Sequence, residues 1–317
     1  MREPVRLAGE AGGGRGALAS HAPEAAAAVD ALEAVVWRLP DADLVDLAAR
    51  VCAAVQGIPP LARPVGQGPG RWLSRDASTW RSFAELDGAQ RAALAFAEQF
   101  SLDVSSVGDE LRSALLRELG DAAMAFGQAV YVIDVIPRLR FALDRLFGAS
   151  EPARGARPGA DAGVWGAIEE LIRVVPGLQG LDPVTTELVR LRGARQHQCR
   201  ICQSLRSRSA FVAGADDKTF AAVDAYATSD LPDAIKAALA FTDAFIWTPG
   251  LIGDAEVSAL RKHYPPAQQV ELALDIARNA TNKFAVSMAV DGANVSEGYE
   301  VYDVAADGSI HYGLSRP

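Results

Sequence analysis

Cys199 and Cys202, separated by two residues, are the side chains in this sequence best placed to do covalent chemistry. A single Cys-x-x-Cys can form a reversible disulfide, share a metal ion, or pack as two inert buried thiols, and the spacing alone leaves these open. Apolar periodicity predicts one continuous helix over residues 199–212. A thiol at the start of a helix meets unpaired N–H groups and the positive end of the dipole, both of which favour the thiolate. Zinc would need two further ligands, and the histidines, His21, His197, His263 and His311, supply no second ligand pair. Neither a metal nor an organic cofactor is therefore expected. Cys52 falls on the apolar face of its own helix and reads as a core residue.

Upstream of the thiols, Asp182-Pro183 has the form of a helix start, a capping carboxylate followed by proline at the first helical position. Val184, Leu188, Leu191 and Arg195 then share a face, with Glu187 on its flank. A partly buried carboxylate there could move protons near neutrality, because burial raises its pKa. The alternative is an ion pair with Arg190 or Arg192. Arg190, Arg192, Arg195, Arg200 and Arg208 make a local basic cluster, either a solvated helical surface or a mouth that attracts an anionic substrate. Asn279, Asn282 and Lys283, on an otherwise apolar late helix, could line the same pocket or form a polar packing seam.

These residues need a scaffold, and its pattern is helical. The 317 residues suggest two domains of roughly 150 residues each, and the 50% apolar, 22% charged composition is that of a globular chain. A net charge of −9 argues against nucleic acid as a partner. So few cysteines do not make the framework of a small secreted domain, and a reducing cytoplasm is the expected location. Residues 1–22 mix glycine, alanine and charge without the apolar core of a signal peptide and read as a flexible tail. The longest uncharged apolar run, 122–133, falls short of the ~20 residues that span a bilayer, so no membrane partner is expected. Helices are predicted from Glu24 and from Asp41, with Gly57 and Pro59-Pro60 ending the second, and then over 87–100, 108–119 and 122–146. A glycine-, proline- and charge-rich linker occupies 151–163. The pattern resumes over 164–175, 183–196, 199–212, 232–245, 254–263 and 266–291. Residues 299–304 and 309–313 flank Ala305-Ala306-Asp307-Gly308 as a small hairpin.

The two halves repeat one another. Ala92-Ala-Leu-Ala-Phe96 recurs as Ala237-Ala-Leu-Ala-Phe241, a shift of 145 residues kept by Phe100 with Phe245 and Gly108-Asp109 with Gly253-Asp254. Leu44-Val45 matches Leu188-Val189 at 144, a register that puts Cys199 on Val55, Cys202 on Ile58, Arg206 on Ala62 and Glu187 on Asp43. The organisation expected is thus a tail over 1–22, a degenerate repeat lacking the C-x-x-C over 23–150, the linker, a repeat with the thiol site over 164–298 and a hairpin over 299–317. The first repeat would serve packing, shape a pocket, or act as a pseudo-subunit.

Glu187, Cys199 twelve positions later and then Cys202 form an E-x(11)-C-x-x-C pattern that resembles the signature of the carboxymuconolactone decarboxylase and alkylhydroperoxidase D superfamily. The resemblance covers most of the second half and reaches the first by repetition. It implies an all-α fold, here two tandem alkylhydroperoxidase D-like repeats with a short C-terminal hairpin, and a homo-oligomer. It also implies that Cys202 attacks a hydroperoxide, that Cys199 resolves the sulfenic acid as a disulfide, and that Glu187 feeds a proton relay. In the superfamily's peroxidases a histidine follows the second cysteine at the fourth position and another can sit between the cysteines; here these are Arg206 and Ile201. On a continuous helix Arg206 would reach back to the Cys202 sulfur, stabilising a thiolate without being able to pass a proton. His197, just before the motif, completes the candidate catalytic set of Cys202, Cys199, Glu187, Arg206 and His197. The expected activity is a thiol-dependent antioxidant oxidoreductase that reduces a small-molecule peroxide or disulfide and is re-reduced by a dithiol partner. Alternatives are a catalytically degenerate binding or redox-sensing protein, or a decarboxylase or tailoring enzyme acting on a small lactone or acid.

Overall fold

The computed structural model describes residues 12–150, 163–305 and 307–317. Residues 1–11 of the expected tail and residues 151–162 of the expected linker lie outside the described residues. The protein is mostly helical, with one small three-stranded sheet near the C-terminus. The first half carries α1 (Gly13–His21), α2 (Pro23–Val35), α3 (Ala42–Gln56), α4 (Gly88–Leu102), α5 (Asp109–Leu119) and α6 (Ala123–Phe147). The second carries α7 (Val164–Val174), α8 (Pro183–Gln196), α9 (Arg200–Gln203), α10 (Arg208–Val212), α11 (Asp217–Ala221), α12 (Asp233–Trp247), α13 (Asp254–His263), α14 (Pro266–Asn279) and α15 (Asn282–Ser287). The strands are β1 (Leu205–Ser207), β2 (Glu300–Val304) and β3 (Ile310–His311).

The helices α3, α4, α5 and α6 are followed in the same order by α8, α12, α13 and the pair α14–α15. Within each half the contacts also correspond, since α3 packs on α4 and α6 while α8 packs on α12 and α14. Across the halves α2 lies against α7 and α6 against α14, where the buried Tyr131 hydroxyl donates to Ala277 O at 2.9 Å. A single apolar core runs through both halves, rather than one core in each. The helical segment Asp109–Phe147 contains an 18-residue window with a mean hydropathy of 1.4, long and apolar enough to cross a membrane, and 61% of that window is buried within the protein.

Three expectations are corrected. Residues 13–21 are not a tail but α1, which packs on α6 with Ala17 and Leu18 fully buried. A Cβ at Gly14 would stand 2.7 Å from the Asp144 backbone nitrogen, so the absence of side chains, not an apolar stripe, is what seats this helix. The helix expected over 266–291 breaks at Ala280-Thr281 into α14 and α15. The helix expected over 199–212 is broken as well: α9 stops after one turn and Leu205–Ser207 forms β1. Strand β2 pairs in parallel with β1, Leu205 opposite Glu300 and Ser207 opposite Tyr302, and antiparallel with β3. The C-terminal hairpin is therefore two strands of a sheet whose third strand follows directly on the thiols.

A buried polar junction joins the halves. Asp134 on α6 accepts Lys283 Nζ from α15 at 2.6 Å, Arg138 Nη2 at 2.8 Å and Ser101 Oγ at 2.8 Å, with Gln56 Nε2 also donating. Arg138 donates onward to the carbonyls of Phe245 and Ile246 on α12. Burial pushes the Asp134 carboxyl up, but Arg138 and Lys283 outweigh it and hold the carboxyl below the usual range.

Candidate functional site

The thiol site is built at the C-terminal end of α8. Asp182 caps its start, accepting Val184 N and Thr185 N at 3.1 and 3.0 Å. At its end Gln198 takes a left-handed conformation (φ 52°), Cys199 N donates to Ala194 O at 3.0 Å and Gln198 N to Arg195 O at 3.2 Å. This paired 6→1 and 5→2 closure turns the chain sharply out of the helix and delivers Cys199 to the next element. Cys199 in turn caps the single turn of α9, its Sγ accepting the Cys202 backbone N–H at 3.3 Å. Asp291 fixes α9 from outside: its carboxylate accepts Arg200 N at 2.8 Å and the Arg200 guanidinium at 2.7 Å, and its carbonyl accepts Ile201 N at 2.9 Å. Cys199 and Cys202 are joined as a disulfide with Cα atoms 5.3 Å apart, and they pack with Ala194 in a small cluster separate from the main core. Cys52 is free and buried, as expected from its apolar face.

Glu187 is 1% exposed and ion-paired to Arg190, which donates Nε and Nη2 to its two oxygens at 2.7 Å each. Ser207 N on β1 also donates to Glu187, at 3.1 Å, and the Tyr302 hydroxyl on β2 does so at 3.0 Å. Arg190 reaches the site itself through Cys202 O at 2.8 Å and Leu205 O at 2.9 Å. The carboxylate thus anchors both the strand after the thiols and the strand that pairs with it. Burial raises the Tyr302 phenol and keeps it a neutral donor, against the opposing pull of Arg190.

Arg206 stands elsewhere. The break at Ser204 removes it from the face of Cys202, and its guanidinium lies over the rings of Phe220 and Tyr299 while donating to Gln203 O and Leu205 O. An arginine one helical turn beyond Cys202 needs the helix to continue, and it does not. The other arginines of the sequence cluster are mostly matched by carboxylates: Arg192 by Asp243, Arg195 by Asp224 and Arg200 by Asp291.

Beside the disulfide is a cavity of about 150 Å³. The end of α8 and the thiol turn contribute His197, Cys199, Ile201 and Cys202, with Arg190 and Leu205 beside them. The α14–α15 junction contributes Arg278, Asn279, Thr281 and Asn282, and the hairpin contributes Tyr302, Val304, Ile310 and Tyr312. Among the described residues every lining residue comes from the second half. Asn279 and Asn282 line it as the sequence suggested, whereas Lys283 points into the buried junction with Asp134. His197 borders both regions: burial first, then Lys283 and Arg138, hold it well below the ordinary histidine range and therefore neutral. Among the described residues no group of three or more His, Cys, Asp or Glu is gathered to hold a metal ion.

Tyr302, Arg278 and Asp291 escaped the sequence reading. The period-2 alternation of the hairpin, which puts Tyr302 and Val304 on one face, is the signal that could have singled out the first. Nothing local announces Arg278 or Asp291, whose contacts are made across the fold.

The helix ends also set the register between halves. Asp41 caps α3 as Asp182 caps α8, Gly57 (φ 66°) takes the place of Gln198, and Ile58 N donates to Ala53 O as Cys199 N does to Ala194 O. The offset here is 141 residues, not 144, so Glu187 corresponds to Asp46, His197 to Gln56, Cys199 to Ile58 and Cys202 to Leu61. Asp46 is buried and ion-paired to Arg50 at 3.1 Å, a counterpart of the Glu187–Arg190 pair.

Fold and site together define a mostly helical protein with a buried dithiol turn, closed by a C-terminal sheet. The chain belongs to the same family as two proteins of Mycobacterium tuberculosis, "Uncharacterized protein MT2376" of strain CDC 1551 / Oshkosh and "Uncharacterized protein Rv2313c" of strain ATCC 25618 / H37Rv. It is 39% identical to each over 234 residues, which cover 71% of this chain and 81% of the relative. No family model and no solved structure matches the chain.

Proposed function

We propose that this protein is a thiol-dependent oxidoreductase that cycles the Cys199–Cys202 pair, on a scaffold of two tandem alkylhydroperoxidase D-like repeats in which the first stands in for a second subunit. The observation that carries the reading is the juxtaposition, around one cavity, of a pair of cysteines within disulfide reach and a tyrosine hydroxyl that donates to a buried glutamate. In the reduced protein the Cys202 proton passes to Tyr302 as the tyrosine passes its own to Glu187. The Cys202 thiolate attacks the terminal oxygen of a hydroperoxide, the O–O bond breaks, and the departing alkoxide takes the proton back along the same path to leave as alcohol. Cys199 attacks the resulting sulfenic sulfur; the S–S bond forms, the S–O bond breaks, and the departing hydroxide takes the Cys199 thiol proton to leave as water. An external dithiol then reduces the disulfide and is itself oxidised. The same disulfide half-cycle would serve a disulfide substrate. Assembly into a homo-oligomer is part of this reading.

Counting free thiols before and after one equivalent of an organic hydroperoxide, with mass spectrometry to locate any bond, tests it. The expected result is loss of two thiols as a Cys199–Cys202 linkage, with Cys52 still free. Thiols unchanged by peroxide would end the reading. One observation favours a redox-sensing protein without turnover, namely that both Glu187 oxygens are already engaged, by two donors of Arg190, by Ser207 N and by the Tyr302 hydroxyl. Steady peroxide consumption with a dithiol reductant would exclude that alternative; a single stoichiometric oxidation without turnover would support it.

A further inference from the structure

The charged side chains of the cavity are of one sign. Among its lining residues there is no aspartate or glutamate, and the two cations are Arg190 and Arg278. Arg190 is matched by Glu187. Arg278 is not matched: among the described residues it makes one hydrogen bond, Nε to Ile172 O at 3.1 Å, and no ion pair. Asp275, one turn earlier on α14, is buried but not within ion-pair distance of it, and one Asp275 oxygen has no hydrogen-bond partner. The Arg278 Nη groups are thus left without a protein acceptor. The side-chain amides of Asn279 and Asn282 also line the cavity and, among the described residues, bond to no protein atom. Three side chains lining one cavity whose donors meet no protein acceptor among the described residues, one of them a guanidinium partly removed from water, form a receptor for an anion. The apolar remainder, Ile172, Val304 and Ile310 with the ring of Tyr312, suits a short hydrocarbon or aromatic body. At about 150 Å³ the cavity is smaller than the roughly 300–1,000 Å³ of pockets for drug-sized ligands.

We propose that the cavity binds a small organic carboxylate, its charged group on Arg278, Asn279 and Asn282 and its other end against the Cys199–Cys202 pair. The physiological oxidant is then an acid bearing the reacting function rather than a neutral alkyl hydroperoxide. This deepens the thiol reading and depends on it only for what happens at the reacting end.

The experiment separates the two. Titration calorimetry of the oxidised, full-length protein with benzoate and with neutral benzamide reads the anion site without any turnover. Benzoate should bind at least about tenfold more tightly than benzamide, as expected for a charge-assisted pair in a partly desolvated site. Arg278→Gln should abolish that preference, and Arg208→Gln, at an exposed position, should keep it. Should Arg278→Gln fail to fold because the Ile172 contact is lost, Asn279→Ala and Asn282→Ala carry the same test, each reducing benzoate affinity about threefold or more while leaving benzamide unchanged. For the reduced protein, the rate with anionic 5,5′-dithiobis(2-nitrobenzoate) over that with neutral 2,2′-dithiodipyridine, each divided by the rate with free cysteine to remove intrinsic reactivity, should exceed one, and Arg278→Gln should lower this ratio. Equal affinity for benzoate and benzamide, or a benzoate preference that survives in all three variants, would overturn the proposal. A preference that depends on Arg278 in a protein whose thiols ignore peroxide would leave the anion site standing and remove the peroxidase reading instead.

Discussion

Helices α3 and α8 begin under the same aspartate cap, carry a buried carboxylate–arginine pair at the same level, and end in the same left-handed turn. Beyond the turn they part. After α3 the chain leaves through Ile58-Pro59-Pro60, where each proline disfavours helical φ/ψ at the residue before it, and neither matching position is a cysteine. After α8 the same turn delivers Cys199, whose sulfur caps α9, and the following residues pair with the C-terminal strand β2. The helix end is therefore a positioning device present in both halves, and chemistry depends on what is attached to it. The residue just inside the turn differs too, Gln56 in one half and His197 in the other, and both are buried next to the Asp134 junction. An amide at the first position joins the junction by hydrogen bonding to Asp134, whereas a neutral imidazole at the second faces the cavity.

The comparison breaks most severely if the thiol turn is as inert as its counterpart. Cys202→Ser should reduce peroxide consumption to the uncatalysed rate, a loss of roughly 10³-fold or more, and Cys199→Ser should leave a sulfenic acid on Cys202 that a dimedone probe can trap. Full activity in Cys202→Ser would make the two turns equivalent. Next in size is the junction shared by both. Asp134→Ala leaves Lys283 and Arg138 buried without their carboxylate and should lower unfolding stability by about 3–5 kcal/mol in guanidinium titrations; a change under about 1 kcal/mol would mean that the halves are held together without it.

The paired carboxylates sharpen the comparison. Glu187→Gln should slow oxidation of the thiols by about 10²-fold, and Tyr302→Phe by a similar factor, if both lie on the proton path. Asp46→Asn, at the matching position, should leave the rate unchanged, and stopped-flow peroxide kinetics can compare all three. The smallest effect concerns His197. Its folded pKa lies well below the unfolded value of about 6.5, so below that pH the unfolded chain takes up a proton the folded one refuses. Stability therefore falls as pH drops below about 6.5, by up to about 1.4 kcal/mol per pH unit. His197→Gln, which copies Gln56, should flatten this slope between pH 6.5 and 5; identical slopes would show that His197 titrates freely in the folded protein.

What local patterns govern was legible in the residues themselves. The main helices, the Asp182-Pro183 start, the core position of Cys52 and the pairing of Glu187 with Arg190 as one of two readings all follow from 3.6-residue periodicity and capping chemistry, which act over a few residues. The mostly helical character followed for the same reason, and the recurrence of Ala92-Ala-Leu-Ala-Phe96 pointed to like helix orders in the two halves. Only tertiary structure decided the rest. Residues 205–207 pattern as helix, yet they form β1 because Glu300–Tyr302, distant in sequence, offers their backbone a ladder and Glu187 accepts Ser207 N. That choice moved Arg206 away from Cys202 and brought Tyr302 to the thiols. The glycine-rich residues 13–21 show no apolar stripe, but with so little side chain they can lie directly on the backbone of α6. Likewise, Lys283 and Asn282 are neighbours in sequence, and packing alone sent one into a buried ion pair and the other to the cavity, because a charge in the core is stable only where an opposite charge already waits.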